Sequence, residues 1–293
     1  MDYIPNPRLR LFIGAILISF SPVWVKLTNV SPTTSGFYRV AIGGAALALF
    51  LAATGRRINL SKRSVKILAA SAVLFAFDLW FFHRSINYVG PGLATLLSNF
   101  QVFFMMLAGL LLLQQRPRPL QLFAVPLALF GLGLIVGFDW SDLPGDYRLG
   151  VVFGLLAALT YAGYMLTMRE ARRDSSDPLP AREVALVSLG SALLLGLAAV
   201  AEGQSLAIPS YVDAGWLLSY GIFSQCFGVL LIASSLLRVT TTEAGIALLL
   251  QPTLSFCWDV LFFGRQMTAV ELMGAAIALI AIYLGSRGRS KQI

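Results

Sequence analysis

About ten apolar segments, each close to twenty residues long, follow one another through this 293-residue chain, and its few charges fall in the gaps between them. The hydrocarbon core of a bilayer, roughly 30 Å thick, takes about 20 helical residues to cross. Stretches such as Leu11 to Leu27 and Val151 to Met168 have that length. The chain therefore reads as a protein that lives in a membrane.

Composition agrees: 57% of the residues are hydrophobic and 12% are charged, and the mean hydropathy of +0.78 lies outside the range of a soluble domain. The net charge of +8 is carried by short loop clusters. No basic stripe with interleaved aromatic residues accompanies it, so nucleic acid is not an expected partner. The lipid bilayer is.

The segments run at roughly 11–28, 33–53, 65–85, 91–113, 119–138, 148–168, 183–201, 214–237, 242–263 and 269–286. With the N-terminus inside, most of the 22 lysines and arginines fall on the inner side: Arg8, Arg10, Arg56, Arg57, Lys62, Arg63, Lys66, Arg116, Arg118, Arg169, Arg172, Arg173, Arg182, Arg238, Arg287, Arg289 and Lys291. The outer side receives Asp139, Asp142, Asp146, Glu202 and Asp213. This bias predicts ten spans with both termini cytoplasmic. Val23-Trp24-Val25-Lys26 is no small-residue cleavage site, so segment one is expected to stay as an uncleaved helix. Ser290-Lys291-Gln292-Ile293 carries no retention signal, which suits a bacterial cytoplasmic membrane. Cys226 and Cys257 sit inside apolar segments and read as packing residues, with no disulfide or metal framework.

Five segments precede the turn-rich stretch Asp139 to Asp146 and five follow it. An odd number of spans per half inverts the second half relative to the first, the arrangement of inverted repeats in secondary transporters. The expected fold is thus all-α and polytopic: ten transmembrane helices in one domain, 1–293, with a first repeat at about 8–140 and a second at about 147–289. Gly92 to Asn99 and Ala244 to Gln251 form a faint echo between the halves. Gly150, Gly154, Ala158 and Ala162, and separately Gly133 and Gly137, recur every fourth residue and are expected helix-packing seams. Pro22, Pro126 and Pro252 lie in or near apolar segments, where a proline can kink a helix and free carbonyls.

Several spaced motifs add a resemblance. Ser21-Pro22-Val23-Trp24-Val25-Lys26, then Ser31-Pro32, then Phe37-Tyr38-Arg39-Val40-Ala41 resemble the opening of the EamA family in the drug/metabolite transporter superfamily. Ile86 to Ala94 resembles that family's loop between helices three and four. Gly150 to Tyr164 resembles the start of its second repeat, and Glu243-Ala244-Gly245 to Gln251-Pro252 its ninth helix. Where the family often has Gly-Glu after helices four and nine, this chain has Leu113-Gln114 and Gly264-Arg265, so no role passes to those glutamates. Within the family the chain looks closest to YddG-type exporters of aromatic and other neutral amino acids. The resemblance implies export, through alternating access, of a small-molecule substrate of that class.

Ionisable residues at membrane depth need a partner or a cavity, because each costs about 2.5–3.5 kcal/mol on insertion scales. Asp78, near the centre of segment three, either carries a proton or meets an amino group, or else neutralises Arg39 or Arg84. Asp259 faces the same choice. Arg39 either receives a carboxylate or snorkels to the interface. His83, the sole histidine, rules out a multi-histidine metal site and leaves a proton relay open. Four segments present polar and aromatic residues at three- or four-residue spacing: Asn99, Phe103 and Met106; Thr160, Tyr164 and Thr167; Trp216, Tyr220, Ser224 and Phe227; Gln251, Ser255 and Trp258. Rings can pack an aromatic solute while amides and hydroxyls fix its polar end. Trp216, near a segment end, suits an interfacial belt better than a ligand site.

Three classes of function remain. The leading one is a secondary transporter exporting aromatic amino acids, with no cofactor, since no Gly-x-x-x-x-Gly-Lys motor motif is present. The second keeps the fold and changes the cargo to drugs, carboxylates or nucleotide sugars. The third, a membrane enzyme, finds neither His-Glu-x-x-His nor Gly-x-Ser-x-Gly to support it. The sequence leaves the oligomeric state open.

Overall fold

The structure is a computed structural model that describes residues 6–55, 60–114, 117–137, 143–173, 179–235, 239 and 241–286, with backbone alone at 113 and 241–248. Arg56, Arg57, Arg116, Arg238, Arg287, Arg289, Lys291, Asp139 and Asp142 lie outside the described residues, as do the side chains of Glu243 and its neighbours. Among the described residues every regular element is helical.

The chain order is α1 Pro7–Ser19, α2 Ser21–Leu27, α3 Pro32–Ala53, α4 Lys62–Val89, α5 Pro91–Ser98, α6 Gln101–Leu113, α7 Pro119–Val136, α8 Gly145–Ala171 and α9 Ala181–Ala201. It continues with α10 Tyr211–Ser219, a π-helical stretch Tyr220–Gly228, α11 Val229–Ser235, α12 Thr241–Phe263 and α13 Ala269–Ser286. Three pairs or runs of these are single broken spans. Among the described residues nine spans are long and apolar enough to cross a membrane, and α12 adds a shorter apolar stretch, Leu249–Phe263.

Helix starts follow ordinary capping chemistry. Asn6 Oδ1 accepts from the Arg8 backbone N–H, Ser31 Oγ from Thr34, and Ser61 Oγ from Ser64. Pro7 and Pro32 occupy the first helical turn, where no donor is lost. Gly90 ends α4 at φ 83°, a left-handed conformation that leaves Pro91 free to start α5 at once. This turn is why α4 and α5 reverse direction without a loop.

α4 packs along α8, α3 along α9, and α7 along α13. Gly150, Gly154, Ala158 and Ala162 are all buried, and a Cβ at Gly154 would lie 2.7 Å from the Leu97 side chain. The α7 seam differs from its expected place. Gly137 is the C-cap of α7 with nothing within 4 Å of a Cβ, whereas Gly131 crosses Gly274 of α13 so closely that a Cβ there would lie 2.6 Å from the Ala278 backbone nitrogen. Spacing alone picked out Gly137 and passed over Gly131, because the partner surface decides which glycine is crowded. Outward residues such as Leu49, Leu112, Leu197 and Leu261 are strongly exposed, as lipid contact requires. Cys226 packs inside, but Cys257 faces outward instead of filling the core.

Candidate functional site

The polar centre of the bundle is built on α3, α4, α9 and the π-helical stretch. Arg39 is the eighth residue of α3 and only 8% exposed, so its guanidinium does not snorkel to an interface. Its Nε donates to Gln225 Oε1 at 3.0 Å and its Nη1 to Tyr220 Oη at 3.0 Å. Tyr220 Oη lies 3.1 Å from His83 Nε2, and His83 Nδ1 lies 2.6 Å from the Leu79 carbonyl. One proton arrangement satisfies all of these atoms: His83 donates from Nδ1 to the carbonyl, and its Nε2 accepts from the tyrosine, which accepts from Arg39. Gln225 completes the set by donating Nε2 to Ser188 Oγ at 2.9 Å.

The π-helix is what brings Gln225 into the set. Its wider turn shifts the register of the span after Tyr220, so Tyr220, Ser224 and Gln225 are all buried while Phe227 is 40% exposed. The expected face of Trp216, Tyr220, Ser224 and Phe227 therefore loses its last member, and Gln225 replaces it. Gly43 makes room on the opposite helix, because a Cβ there would sit 2.5 Å from Gln225 Cγ.

Rings close one side of this centre. Tyr164 stacks on Phe75 with centroids 4.6 Å apart and meets Tyr161 at 5.4 Å. The Arg39 guanidinium carbon lies 5.1 Å from the Tyr220 ring centroid and 5.9 Å from that of Phe75. Asp78, 5% exposed, stands on α4 one turn beyond Phe75 and within electrostatic reach of Arg39, Tyr161, Tyr164 and Tyr220. It stands eleven positions before Val89, about 16 Å along the helix, so it sits deep in the span.

The other expected site residues lie elsewhere. Ser224, Ser255 and Trp258 converge on the break between α1 and α2: Ser224 Oγ donates to the Leu17 carbonyl at 3.1 Å, Ser255 Oγ to the Ser19 carbonyl at 3.0 Å, and Trp258 Nε1 to Ser19 Oγ at 3.0 Å. Trp258 also stacks on Phe20 at 4.5 Å. Pro22 lies in the first turn of α2 at this break, and Ser224 and Ser255 satisfy carbonyls at the end of α1. Asn99 caps α5 at its break from α6, donating Nδ2 to the Thr95 carbonyl at 2.8 Å. Phe103 packs on Phe100 and against Gly285. Gln251 is half-buried on α12. Asp259 is held by Arg265 at 3.3 Å and by the Gly92 backbone N–H at 3.0 Å, tying α12 to the start of α5.

A latch joins α3, α4 and α9 at the bundle end that carries Glu202. Its carboxylate accepts from Trp80 Nε1 at 2.6 Å, Thr33 Oγ1 at 2.7 Å and Arg84 Nη2 at 2.8 Å, and the Arg84 guanidinium lies 3.6 Å from the Trp80 ring centroid. Arg84 is therefore the partner of Glu202, not of Asp78. The sequence showed Glu202 only as an outer-loop acid, because its partners come from two distant helices.

Partial burial alone would raise the Glu202 carboxyl, but the donors from Trp80, Thr33 and Arg84 outweigh it and hold the group below its ordinary 4.5. A depressed carboxyl stabilises the fold fully above that ordinary value, and the stabilisation disappears as pH falls through the lowered one. Thermal unfolding of wild type and Glu202→Gln, followed from about pH 7.5 to about pH 3.5, should show wild type more stable near neutrality and the gap closing only below about pH 4.5. A gap that stays constant to the acid limit would show that ionisation of Glu202 contributes nothing to the latch.

The sequence profile of the EamA-like transporter family matches residues 9–137 and 148–287. Pseudopaline exporter CntI of Pseudomonas aeruginosa (strain UCBPP-PA14) is 24% identical over 293 residues, spanning 98% of each chain. The Escherichia coli (strain K12) protein named Probable amino-acid metabolite efflux pump is 22% identical over 289 residues, covering 92% of this chain and 91% of its own. Uncharacterized inner membrane transporter YhbE of the same strain is 24% identical over 280 residues, covering 92% and 85%. A solved crystal structure superimposes with a TM-score of 0.67 at 17% identity over 96% of both chains. At that identity the likeness is one of fold.

Proposed function

The chain belongs to the EamA-like transporter family, and from that membership we propose that it exports aromatic and other neutral amino acids across a bacterial cytoplasmic membrane by alternating access. It is a multi-pass membrane protein whose relatives are transporters. The observation that carries the amino-acid reading is the buried polar centre, in which an arginine is oriented by neutral partners beside stacked rings. A carboxylate suits the guanidinium and an aromatic side chain suits the rings. The relative named an amino-acid metabolite efflux pump supports the same class.

Alternating access is read from the halves. The family profile matches in two blocks, which supports two five-helix repeats at about 8–140 and 147–289. We place both termini in the cytoplasm, so that the Glu202 latch lies on the periplasmic side and the Arg63–Glu170 pair on the cytoplasmic side. Breaking one set of contacts while the other holds would expose the centre to one side at a time. A gradient supplies the energy, and Asp78 with His83 is the proton-coupling route of this reading.

A second reading, another small metabolite on the same fold, rests on the Pseudopaline exporter, which matches over the whole chain. Uptake of radiolabelled phenylalanine, tryptophan and a dicarboxylate into liposomes holding purified protein separates the two. The expected result is saturable aromatic uptake, inhibited by unlabelled neutral amino acids and indifferent to the dicarboxylate. Uptake no greater than in empty liposomes for either amino acid would move the cargo to the second reading.

A further inference from the structure

Asp78 and Arg39 are both more than nine-tenths buried, lie on adjacent helices, and are of opposite sign when ionised, yet they form no ion pair with each other. Charges brought out of water ordinarily close on one another, because attraction in a poor dielectric must offset the loss of hydration. Here Arg39 instead spends Nε and Nη1 on the neutral acceptors Gln225 and Tyr220. The Asp78 carboxylate accepts no hydrogen bond from any described residue, and Arg39 Nη2 donates to none. Two poles of opposite sign are left with open hydrogen-bonding capacity, buried and within electrostatic reach of each other.

We propose that these poles form a zwitterion clamp: Asp78 receives the α-ammonium of a free amino acid, Arg39 Nη2 receives its α-carboxylate, and its side chain lies against Phe75, Tyr161 and Tyr164. The proposal rests on the amino-acid reading above and names the groups that select the substrate. Charge balance argues for it. Asp78 and Arg39 together are neutral, and a zwitterion fills both poles without adding net charge. A dicarboxylate would bring a second anion to Asp78, and an amine would leave Arg39 facing no anion. Neither offers each pole its opposite. Tyr220, Gln225 and Ser188 matter indirectly, by fixing the guanidinium so that Nη2 is the edge presented.

Asp78 reads differently if it is only a distant counter-ion to Arg39. Its removal would then change the affinity of every carboxylate ligand alike, or of none, without regard to an amino group. The two cases separate by equilibrium binding to detergent-purified protein, with L-phenylalanine, 3-phenylpropanoate, which lacks the ammonium, and phenylethylamine, which lacks the carboxylate. Wild type is expected to bind phenylalanine about 100-fold more tightly than either analogue, the scale of losing one partner of a buried charge pair. Asp78→Asn is expected to lose about 100-fold for phenylalanine and to keep its 3-phenylpropanoate affinity within about threefold. Retained binding of that analogue also reports that the variant is folded. The wild-type panel tests the clamp even where Asp78→Asn fails to fold. Wild type that binds phenylalanine and 3-phenylpropanoate equally, or a folded Asp78→Asn that loses both in parallel, would overturn the clamp alone. Wild type that binds no amino acid would overturn the export reading together with the clamp.

Discussion

Replacement of Arg39 by lysine is expected to lower the initial rate of amino-acid transport by about 100-fold, although the positive charge is kept. The guanidinium is planar and uses two of its nitrogens at once, Nε on Gln225 and Nη1 on Tyr220, both at 3.0 Å. A lysine ammonium is a single point on a flexible stem and cannot hold both acceptors while leaving a third nitrogen for a ligand. Its loss also releases Tyr220 Oη, the link to His83 Nε2. Two buried acceptors then lose a donor, at about 1–3 kcal/mol each where nothing replaces it. Arg39→Lys should therefore melt at a lower temperature than wild type but still insert and purify. Initial rates in liposomes, read beside thermal unfolding in detergent, check this. A folded Arg39→Lys that transports within about threefold of wild type would show that charge alone suffices there and that the fork geometry is irrelevant.

Hydropathy carried the reading of the spans, because a lipid-crossing helix declares itself through length and apolarity within one short window. Ends were less visible. Hydropathy puts segment three at 65–85, whereas α4 runs Lys62–Val89, since Ser61 caps its start and Gly90 its end, and the polar turns between cap and apolar run stay helical. The break near Pro22 was legible as a kink, but the side chains that satisfy it were not. Ser224 and Ser255 reach α1 from sequence separations of 207 and 236, so their helical spacing resembled a ligand face. Arg39, Asp78, His83 and Tyr220 stood out as polar residues in apolar surroundings, and the fold gathers them. Gln225 was missed for a definite reason: a 3.6-residue period assumes an α-helix throughout, and the π-helical stretch breaks that assumption where the centre is built. A polar residue at mid-span was the available signal, and Gln225 had it.

A similar shift between local pattern and distant partner sets the largest stability effect. At Gly131 the backbones of α7 and α13 approach so closely that a Cβ would sit 2.6 Å from the Ala278 nitrogen and 2.8 Å from the Gly274 carbonyl oxygen. Gly274 mirrors this, with a Cβ falling 2.7 Å from the Gly131 carbonyl oxygen. Backbone atoms cannot rotate away as a side-chain tip can, so any substituent must separate the helices along their length. In lipid, where helix association depends on close packing rather than on expulsion of water, that separation forfeits much of what holds α13 to the bundle. Gly131→Ala is expected to destabilise by about 1–3 kcal/mol, and Gly131→Leu by more, with loss of folded protein on extraction into detergent. Gly215→Ala is the matched control. It lies within α10 with nothing within 4 Å of a Cβ, and should be neutral or slightly stabilising. Thermal unfolding of the three variants beside wild type checks the order. A Gly131→Leu protein as stable as Gly215→Ala would mean that α7 and α13 do not need this contact, and that the crossing is incidental to the fold.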